Sequence, residues 1–438
     1  MNPIIKKTIL FFVFFWFSNI FGYSQSYIPL TLYQQFNGPF DYTIIGNTHN
    51  PYDNWISPPQ APAMLSSSSA SLNLAANQTI VGAYLIWTGI GDGTTTTINL
   101  NGNAIIPDFV NIAYPFPTIP PSFPFFSAVK DITSYVQSFG NGLYQISNFN
   151  LSSILLYYYS NTIQFAGWNI IIVYSNPTLP NKQLNIYDGL QYVIGNSINS
   201  VNIPIDNLNV TNTSGAKMTY IVFNGSPNFY GGEVAQINGQ NLSNALNPIN
   251  NPYNGTNSFT GSTSSWNMDV DSYDISNFIL VGNSSATITM STNALRLLSN
   301  VITSIQSELP DATISLDSIT GQDICQNHDL TLDYTVYNVN SNDTLLAGTP
   351  ISVFVNNNVL LSTVTLPSNI LIGDSLSLST LVTIPQGISS PFTLSMVVNQ
   401  NASQLGVYPE SNFGNNTSND STISLTTVVY PNFGNIGP

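Results

Sequence analysis

The sequence is 438 residues long, which predicts two or three domains at about 150 residues per domain. Only 6% of residues are charged, and six basic against 21 acidic residues give a net charge of −15. A chain of this charge repels phosphate backbones and anionic lipid headgroups, so nucleic-acid binding is excluded. Few Lys and Glu and many Asn, Thr, Ser, Tyr and Val disfavour helices and predict an all-β protein.

Residues 1–24 have the features of a secretory signal peptide. Lys6 and Lys7 precede the apolar run 9–17, and the small residues of Gly22-Tyr23-Ser24 follow it. The apolar run is short for a membrane-spanning helix. We expect cleavage after Ser24, which lowers the net charge from −15 to −17 by removing two lysines. The mature chain is then exported without a transmembrane segment, and a retained anchor is the alternative.

Residues 25–308 are predicted to form a jelly-roll-like β-sandwich region, because short apolar runs alternate with Gly, Asn, Pro and Ser clusters. The run 170–173 is apolar on both faces, which places it at the centre of a sheet covered on both sides. Two halves, about 28–160 and 165–305, fit the pattern, and interleaved strands fit it equally. The strand candidates are Val81–Trp87, Thr97–Leu100, Tyr144–Asn148, Trp168–Tyr174, Leu184–Tyr187, Met218–Phe223 and Ala286–Met290.

Residues 131–136 and residues 274–279 show weak internal sequence similarity, and each segment is followed by Gly and Asn. Asp131 and Asp274 are predicted to accept backbone N–H groups at the start of a single helical turn. This pattern resembles the capped turn that precedes a strand in galactose-binding-like jelly rolls. There the motif is structural, so it implies a fold and no ligand.

Residues 309–428 show regular strands at short spacing and predict an Ig-like sandwich without the disulfide and buried Trp of antibody domains. Residues 429–438 are predicted to be a linker or tail. The strand candidates are Ala312–Leu316, Leu330–Val336, Ile351–Val355, Leu376–Val382, Phe392–Val398 and Thr422–Val428.

Several short sequence segments resemble those of a known family. The run 165–174 (FAGWNIIIVY), continued by Tyr187-Asp188-Gly189, resembles a signature of large bacterial surface proteins. The segments 347–356 and 409–416 (PESNFGNN) resemble a cell-adhesion-related, CARDB-like module. Together they are similar to Bacteroidota proteins exported through the type IX system and named gliding-motility-associated. The resemblance implies a location at the surface of a Gram-negative bacterium. No sorting domain of that family is visible before Pro438, which leaves a longer reading frame open.

A candidate metal site is formed by Asp269, Asp271 and Asp274. Alternation along a strand places the first two carboxylates on one face, with the third a turn away. Hard oxygen ligands at this spacing suit Ca²⁺, although the pattern is not an EF-hand loop. In the alternative interpretation Asp274 caps a turn and the other two residues face water.

Catalytic residues are scarce. Cys325 is the only cysteine, so no internal disulfide forms, and His49 and His328 are the only histidines. No nucleophile elbow occurs, and we expect no enzyme. The glutamates stand in no catalytic motif and are expected in solvated loops: Glu233, Glu308 and Glu410.

Aromatic residues at loop positions offer flat surfaces for sugar rings, with Asn and Asp as partners for hydroxyl groups, or they pack in the core. They are Tyr114, Phe116, Phe123, Phe125, residues 157–159, Phe229 and Tyr230. The sequence therefore predicts a secreted, non-catalytic cell-surface protein that acts in adhesion or as a stalk. Its partner is an extracellular glycan or protein. The alternative is a carbohydrate-binding module of a polysaccharide-utilisation system.

Overall fold

The computed structural model describes residues 27–424 except 95, 117–122, 196–197, 230–231, 325–326, 402 and 404–405, and it leaves the side chains of residues 322–328 undescribed. The expected leader 1–24, the tail 429–438 and Cys325 lie outside the described residues. Within them, every strand pair is antiparallel and only two short α-helices occur, which confirms the all-β sandwich class. No described helix has the length and apolar content needed to span a bilayer.

Ten strands and both helices lie before residue 176. They are β1 Ile28–Gly38, β2 Phe40–Thr48, β3 Ser67–Leu72, β4 Thr79–Ile90, β5 Ile98–Leu100, β6 Asn103–Ile105, β7 Phe109–Ala113, β8 Phe125–Asp131, α1 Thr133–Phe139, β9 Gly142–Ser147, α2 Ser152–Tyr159 and β10 Ala166–Ser175. Eight strands follow before residue 308. They are β11 Lys182–Val193, β12 Ser200–Ile205, β13 Val210–Phe223, β14 Val234–Ile237, β15 Gln240–Asn241, β16 Met268–Asp274, β17 Ala286–Ser291 and β18 Arg296–Ser307.

These strands form four sheets. Sheet 1 has the order β1-β11-β18-β13-β16, sheet 2 has β2-β10-β4-β8-β7, sheet 3 has β12-β17-β14-β15, and sheet 4 has β3-β9-β5-β6. Sheets 1 and 2 each combine strands from both sides of residues 160–165, since β1 pairs with β11 and β2 pairs with β10. The strands therefore interleave, which is the second of the two arrangements that the sequence left open.

The four sheets are stacked in the order 3, 1, 2, 4. Ile221 and Phe223 of β13 lie in the core shared by sheets 1 and 2, whereas Met218 and Val222 lie in the core shared by sheets 1 and 3. Sheet 2 also contacts sheet 4, where the Trp168 indole Nε1 donates to Ser68 Oγ at 2.8 Å. Sheets 1 and 2 are therefore covered on both faces.

The strand β10 lies between β2 and β4 in sheet 2, and residues 170–173 have no exposed surface. This confirms the prediction of a central, doubly covered strand. Layers are also joined by polar contacts, because Asp188 on β11 accepts hydrogen bonds from Asn111 of sheet 2 and Asn300 of sheet 1, each at 2.8 Å. The Asp188 carboxyl group is tolerated in this core because both of its oxygens accept hydrogen bonds.

The repeated Asp turns are present as predicted. Asp131 Oδ1 accepts the Thr133 amide N–H and Asp274 Oδ1 accepts the Ser276 amide N–H, each at 2.8 Å. Ile132 and Ile275, which follow the two aspartates, are buried. The two turns are alike in their first residues, although only the first continues into a helix, α1.

The C-terminal region packs around a separate core. A three-stranded sheet, β19-β20-β23, faces a four-stranded sheet, β22-β21-β24-β25. The strands are β19 Thr313–Ile324, β20 Asn327–Tyr337, β21 Pro350–Val355, β22 Val359–Thr365, β23 Ser375–Ile384, β24 Phe392–Val398 and β25 Ser421–Ile423, with a 3₁₀ turn at Phe413–Asn415. Independent folding of residues 310–428 stays a prediction.

Candidate functional site

Asp269 and Asp271 lie side by side on β16, because alternate residues of a strand share one face. Both side chains are fully buried. The segment 254–258 folds over this face and supplies hydrogen-bond donors. The Gly255 amide N–H donates to Asp269 Oδ1 at 2.6 Å. The hydroxyls of Thr256 and Ser258 donate to Asp271 Oδ1 at 3.0 and 3.1 Å.

Asp274 does not join this pair, and the prediction of a three-aspartate site is wrong in that respect. Its side chain is exposed, and it caps the turn at Ser276. It follows Tyr273 on the strand, so period-two alternation turns it away from the face of Asp269 and Asp271. Among the residues that the structure describes, no three His, Cys, Asp or Glu side chains are placed to hold one metal ion.

The buried pair has a strongly perturbed acidity. Burial raises the pKa of Asp271 to about 7, and hydrogen bonds to the ionised form offset this only in part. Burial also raises the pKa of Asp269, and the Asp271 carboxylate raises it further. The second oxygen of each group, Oδ2, has no partner among the described residues. The pair therefore retains a proton at a pH where an exposed aspartate has lost it.

Calcium binding to Asp269 and Asp271 stays a prediction. At a tenfold excess over its dissociation constant, a bound ion stabilises the native state by about 1.4 kcal/mol. We expect melting near pH 8 to rise with millimolar Ca²⁺ more than with Mg²⁺, which demands a tighter octahedral shell. The increment should vanish in D269N and D271N and persist in D274N, the matched exposed control. Equal melting temperatures in chelator and in Ca²⁺ would contradict calcium binding.

Glu233 and Arg296 form a second buried charged group next to this pair. Arg296 is the only arginine of the sequence, and its guanidinium pairs with the Glu233 carboxylate. Burial raises the pKa of Glu233 to about 7 although Arg296 opposes the shift. Both side chains are buried. Glu410 is also buried, and only Glu308 is exposed, so the expectation of solvated glutamates holds for Glu308 alone.

The remaining described cations are lysines. Lys182 and Lys217 flank the Asp41 carboxylate at 3.2 and 2.7 Å, and Lys182 is buried whereas Lys217 is partly exposed. Burial opposes the ionisation of Asp41, but the two ammonium groups outweigh it and lower the pKa of the carboxyl. Lys130 is partly exposed and pairs with Asp108. The described surface therefore carries very few cations.

The sandwich region and the C-terminal region meet through a junction made of amide groups. The Asn37 side chain donates to the Asn340 backbone oxygen at 2.6 Å, and the Asn340 side chain donates to the Gln35 backbone oxygen at 3.1 Å. The Asn342 side-chain amide donates to the backbone oxygens of Lys182 and Ser307, both at 3.1 Å. Asn37 and Asn342 are buried. The two regions are therefore joined directly, without a solvated linker.

Glu410 stabilises the same junction from within the C-terminal region. Its Oε1 accepts the side-chain amides of Asn399 and Asn416 at 2.8 and 2.5 Å, and its Oε2 accepts the Ala312 amide N–H at 3.0 Å. Burial raises the pKa of Glu410 to about 7, and these bonds to the carboxylate lower it in part. The neighbouring Ser411 N–H donates to the Pro310 backbone oxygen at 3.0 Å. The PESNFGNN segment thus fixes the connection between β18 and β19.

A cleft of about 500 Å³ lies at one end of sheet 2, beside α2. Three of the predicted aromatic residues, Tyr114, Tyr157 and Tyr158, line it together with Phe126. Its polar lining groups are Asp92, Thr94, Asn150 and Ser153. Burial raises the pKa of Tyr158, and the nearby Asp92, Tyr157 and Tyr114 raise it further. These groups therefore influence one another electrostatically. The cleft has the size of a small-molecule site.

The other predicted aromatic residues lie elsewhere or pack inside. Phe125 is buried against Phe165, and Phe123 stacks on Tyr157. Phe229 contacts Trp55 in a tilted arrangement, with ring centroids 4.7 Å apart. Tyr230 lies outside the described residues. His49 is buried, its Nδ1 lies 2.9 Å from the Leu65 oxygen, and burial lowers its pKa. The side chain of His328 is among those not described.

No protein-family profile and no curated protein matches this chain. Among solved structures, it is similar to the CARDB domain of a Pyrococcus furiosus protein in complex with di-metal ions. The identity is 18%, the match covers 27% of this chain and 94% of that domain, and the TM-score is 0.19. It is also similar to a Bacteroides uniformis beta-glucuronidase at 8% identity, 55% and 26% coverage and TM-score 0.18. A GH2 beta-galacturonidase from Eisenbergiella tayi matches at 9% identity, 50% and 33% coverage and TM-score 0.18. Such low scores assign neither an activity nor a metal to this chain, which spans a third or less of the two enzymes.

Proposed function

We propose that this protein is a secreted, non-catalytic cell-surface protein that acts in adhesion or as a spacer, with an extracellular glycan or protein as its partner. The observation that carries the proposal is the junction between the sandwich region and the C-terminal region. Its hydrogen bonds run between buried amide side chains and backbone oxygens, so bending the junction leaves buried carbonyl groups without donors. A connection of this kind holds a binding region at a fixed distance and angle.

The distribution of carboxyl groups supports a non-catalytic role. A general acid needs a raised pKa and access to substrate. The carboxyl groups of Glu233, Asp269, Asp271 and Glu410 have raised pKa values but are fully buried. The carboxyl group in the open cleft, Asp92, has a pKa lowered by hydrogen bonds from Thr94. A raised pKa and access to substrate therefore do not coincide in these residues.

Location at a bacterial surface and export by the type IX route belong to the same proposal, and they rest on the sequence resemblance and the leader. Low charge and many neutral amide and hydroxyl groups suit a protein that meets variable ionic strength outside the cell, because few of its contacts are screened by salt. A carbohydrate-binding module is the second candidate. The aromatic and polar lining of the cleft beside α2 favours it.

Small-angle X-ray scattering of the full chain tests the spacer function. The wild-type profile should be that of one rigid particle, because Asn37 and Asn340 clamp the two regions together. N340A removes both the amide donor and the side-chain acceptor and should increase the radius of gyration. A flexible wild-type profile, identical to that of N340A, would overturn the proposal.

Turnover assays test the absence of catalysis. Incubation with a panel of chromogenic glycosides and peptide substrates should release no product above the background of heat-denatured protein. A turnover that disappears in E233Q or D271N would show that the buried acids become accessible and act in catalysis. That result would replace the proposed role with that of a hydrolase.

A further inference from the structure

Three features of the cleft beside α2 identify the kind of ligand that it fits. First, its side chains include no lysine, arginine or histidine, and its one charged group is the Asp92 carboxylate. The chain as a whole carries a net charge of −15. An anionic ligand would therefore meet repulsion and find no cationic partner in the cleft.

Second, the polar groups of the cleft have unused hydrogen-bonding capacity of both kinds. Asp92 Oδ1 accepts the Thr94 N–H and hydroxyl at 3.1 and 2.8 Å, and the carboxylate is exposed, so it can also accept from a ligand. Asn150 Oδ1 accepts the N–H and hydroxyl of Ser152 at 3.2 and 2.7 Å, which leaves the Asn150 amide hydrogens without a described acceptor. One group accepts and the other donates, so together they match hydroxyl groups, which do both.

Third, the two tyrosines of α2 offer ring surface to the cleft. Tyr157 Oη is shielded from bulk water and makes no hydrogen bond to any described residue. The Tyr158 hydroxyl donates to the Pro124 backbone oxygen at 2.6 Å. One face of the Tyr157 ring is covered by Phe123, with centroids 4.5 Å apart. A ligand in the cleft therefore meets the rings of these tyrosines and not their hydroxyl groups.

We infer that this cleft binds an uncharged saccharide, which presents hydroxyl groups to Asp92 and Asn150 and an apolar ring face to the tyrosine rings. Aromatic side chains favour the apolar face of a ring, and a volume of about 500 Å³ accommodates a small ligand. The inference rests on the proposed binding function and narrows its partner to neutral glycans. Uronates and sulfated sugars are excluded by the absence of cations in the cleft.

Binding of defined oligosaccharides to the full mature chain tests this assignment. Neutral oligomers of glucose, galactose and mannose are compared with galacturonate oligomers and a sulfated galactan, first on an array and then by calorimetry. We expect binding to at least one neutral oligomer, none to the anionic ones, and no change on adding a chelator. Binding to anionic oligomers alone, or to none of the panel, would overturn the inference.

Matched variants locate the site. Y114A removes a ring from the cleft, and N150D removes the amide donor while it keeps the oxygen that bonds Ser152 at the start of α2. Each variant should weaken binding at least tenfold and should melt close to the wild-type temperature. Y27A, an exposed aromatic position that does not line the cleft, is the control and should bind like the wild type. Unchanged binding in both Y114A and N150D would overturn the assignment to this cleft. If scattering still shows a rigid particle in that case, the spacer function stands and only the saccharide site falls.

Discussion

The protein should become more stable, not less, as the pH falls from about 8 to about 5.5. Burial raises the pKa values of six carboxyl groups, to about 6 for Asp188 and Asp311 and to about 7 for Glu233, Asp271 and Glu410. Burial also raises that of Asp269. The stability maximum of globular proteins tends to lie between about pH 5 and 8, and these carboxyl groups place it at the acid end of that range.

The sign follows from proton binding. Between the ordinary carboxyl pKa near 4 and the raised values, the folded chain holds protons that the unfolded chain has released. The free energy of unfolding therefore falls as pH rises through that window, by up to about 1.4 kcal/mol per pH unit for each carboxyl group. The buried His49 acts in the opposite direction below its ordinary pKa of about 6.5, because burial lowers its pKa. One histidine is outweighed by six carboxyl groups.

Urea unfolding at closely spaced pH values measures this effect. The midpoint should peak between about pH 5 and 6 and then decline on further acidification, as carboxylates with lowered pKa values such as Asp41 are protonated. D271N removes one of the six groups while it preserves the oxygen that accepts from Thr256, so the slope above pH 6 should decrease. D274N, an exposed acid with a lowered pKa, should leave that slope unchanged. A maximum at pH 7 to 8 in the wild type would refute the buried-acid explanation.

Replacing Asn342 should have the largest effect of any single change at the junction. The Asn342 amide donates to two backbone oxygens from different strands, Lys182 on β11 and Ser307 on β18. N342A leaves both oxygens buried without that donor, at a cost of about 1 to 3 kcal/mol each. N342D should cost more, because its carboxylate faces the same oxygens and is repelled by them.

Calorimetry of the full chain distinguishes loss of stability from loss of coupling. We expect one transition for the wild type and two for N342D, since the C-terminal region has a core of its own. N419A changes an exposed asparagine of the same region and should leave the wild-type transition intact. Two separate transitions already in the wild type would contradict a coupled junction, and a single unshifted transition in N342D would contradict the role of Asn342.

Features that depend on local periodicity could be predicted from the sequence. The apolar run 170–173 has no polar face to present to water, and it forms an interior strand of sheet 2 without exposed surface. The strand candidates 392–398 and 351–355 coincide with β24 and β21, because turn residues delimit them. The aspartates of the two echoing turns accept the predicted backbone N–H groups, since this bond is made within two residues of the chain.

Features that depend on distant partners could not be predicted. The burial of Glu233 requires Arg296, and that of Glu410 requires Asn399 and Ala312, none of which is adjacent in sequence. The asparagines of the junction could not be recognised from the sequence, because asparagine is common throughout this chain and favours turns. Asp274 does not join Asp269 in the predicted metal site, because β16 extends through Asp274. Strand alternation, and not a turn, therefore sets the direction of the Asp274 side chain.

The burial of the basic side chains has a consequence for chemical and enzymatic modification. Trypsin-like proteases have four possible recognition residues after residue 24. Lys182 and Arg296 are buried in ion pairs, and Lys217 is partly buried beside Asp41. Lys130 is the most exposed of the four. The folded chain should therefore persist among extracellular proteases of this specificity. Amine-reactive reagents should likewise modify Lys130 before Lys182 and Lys217.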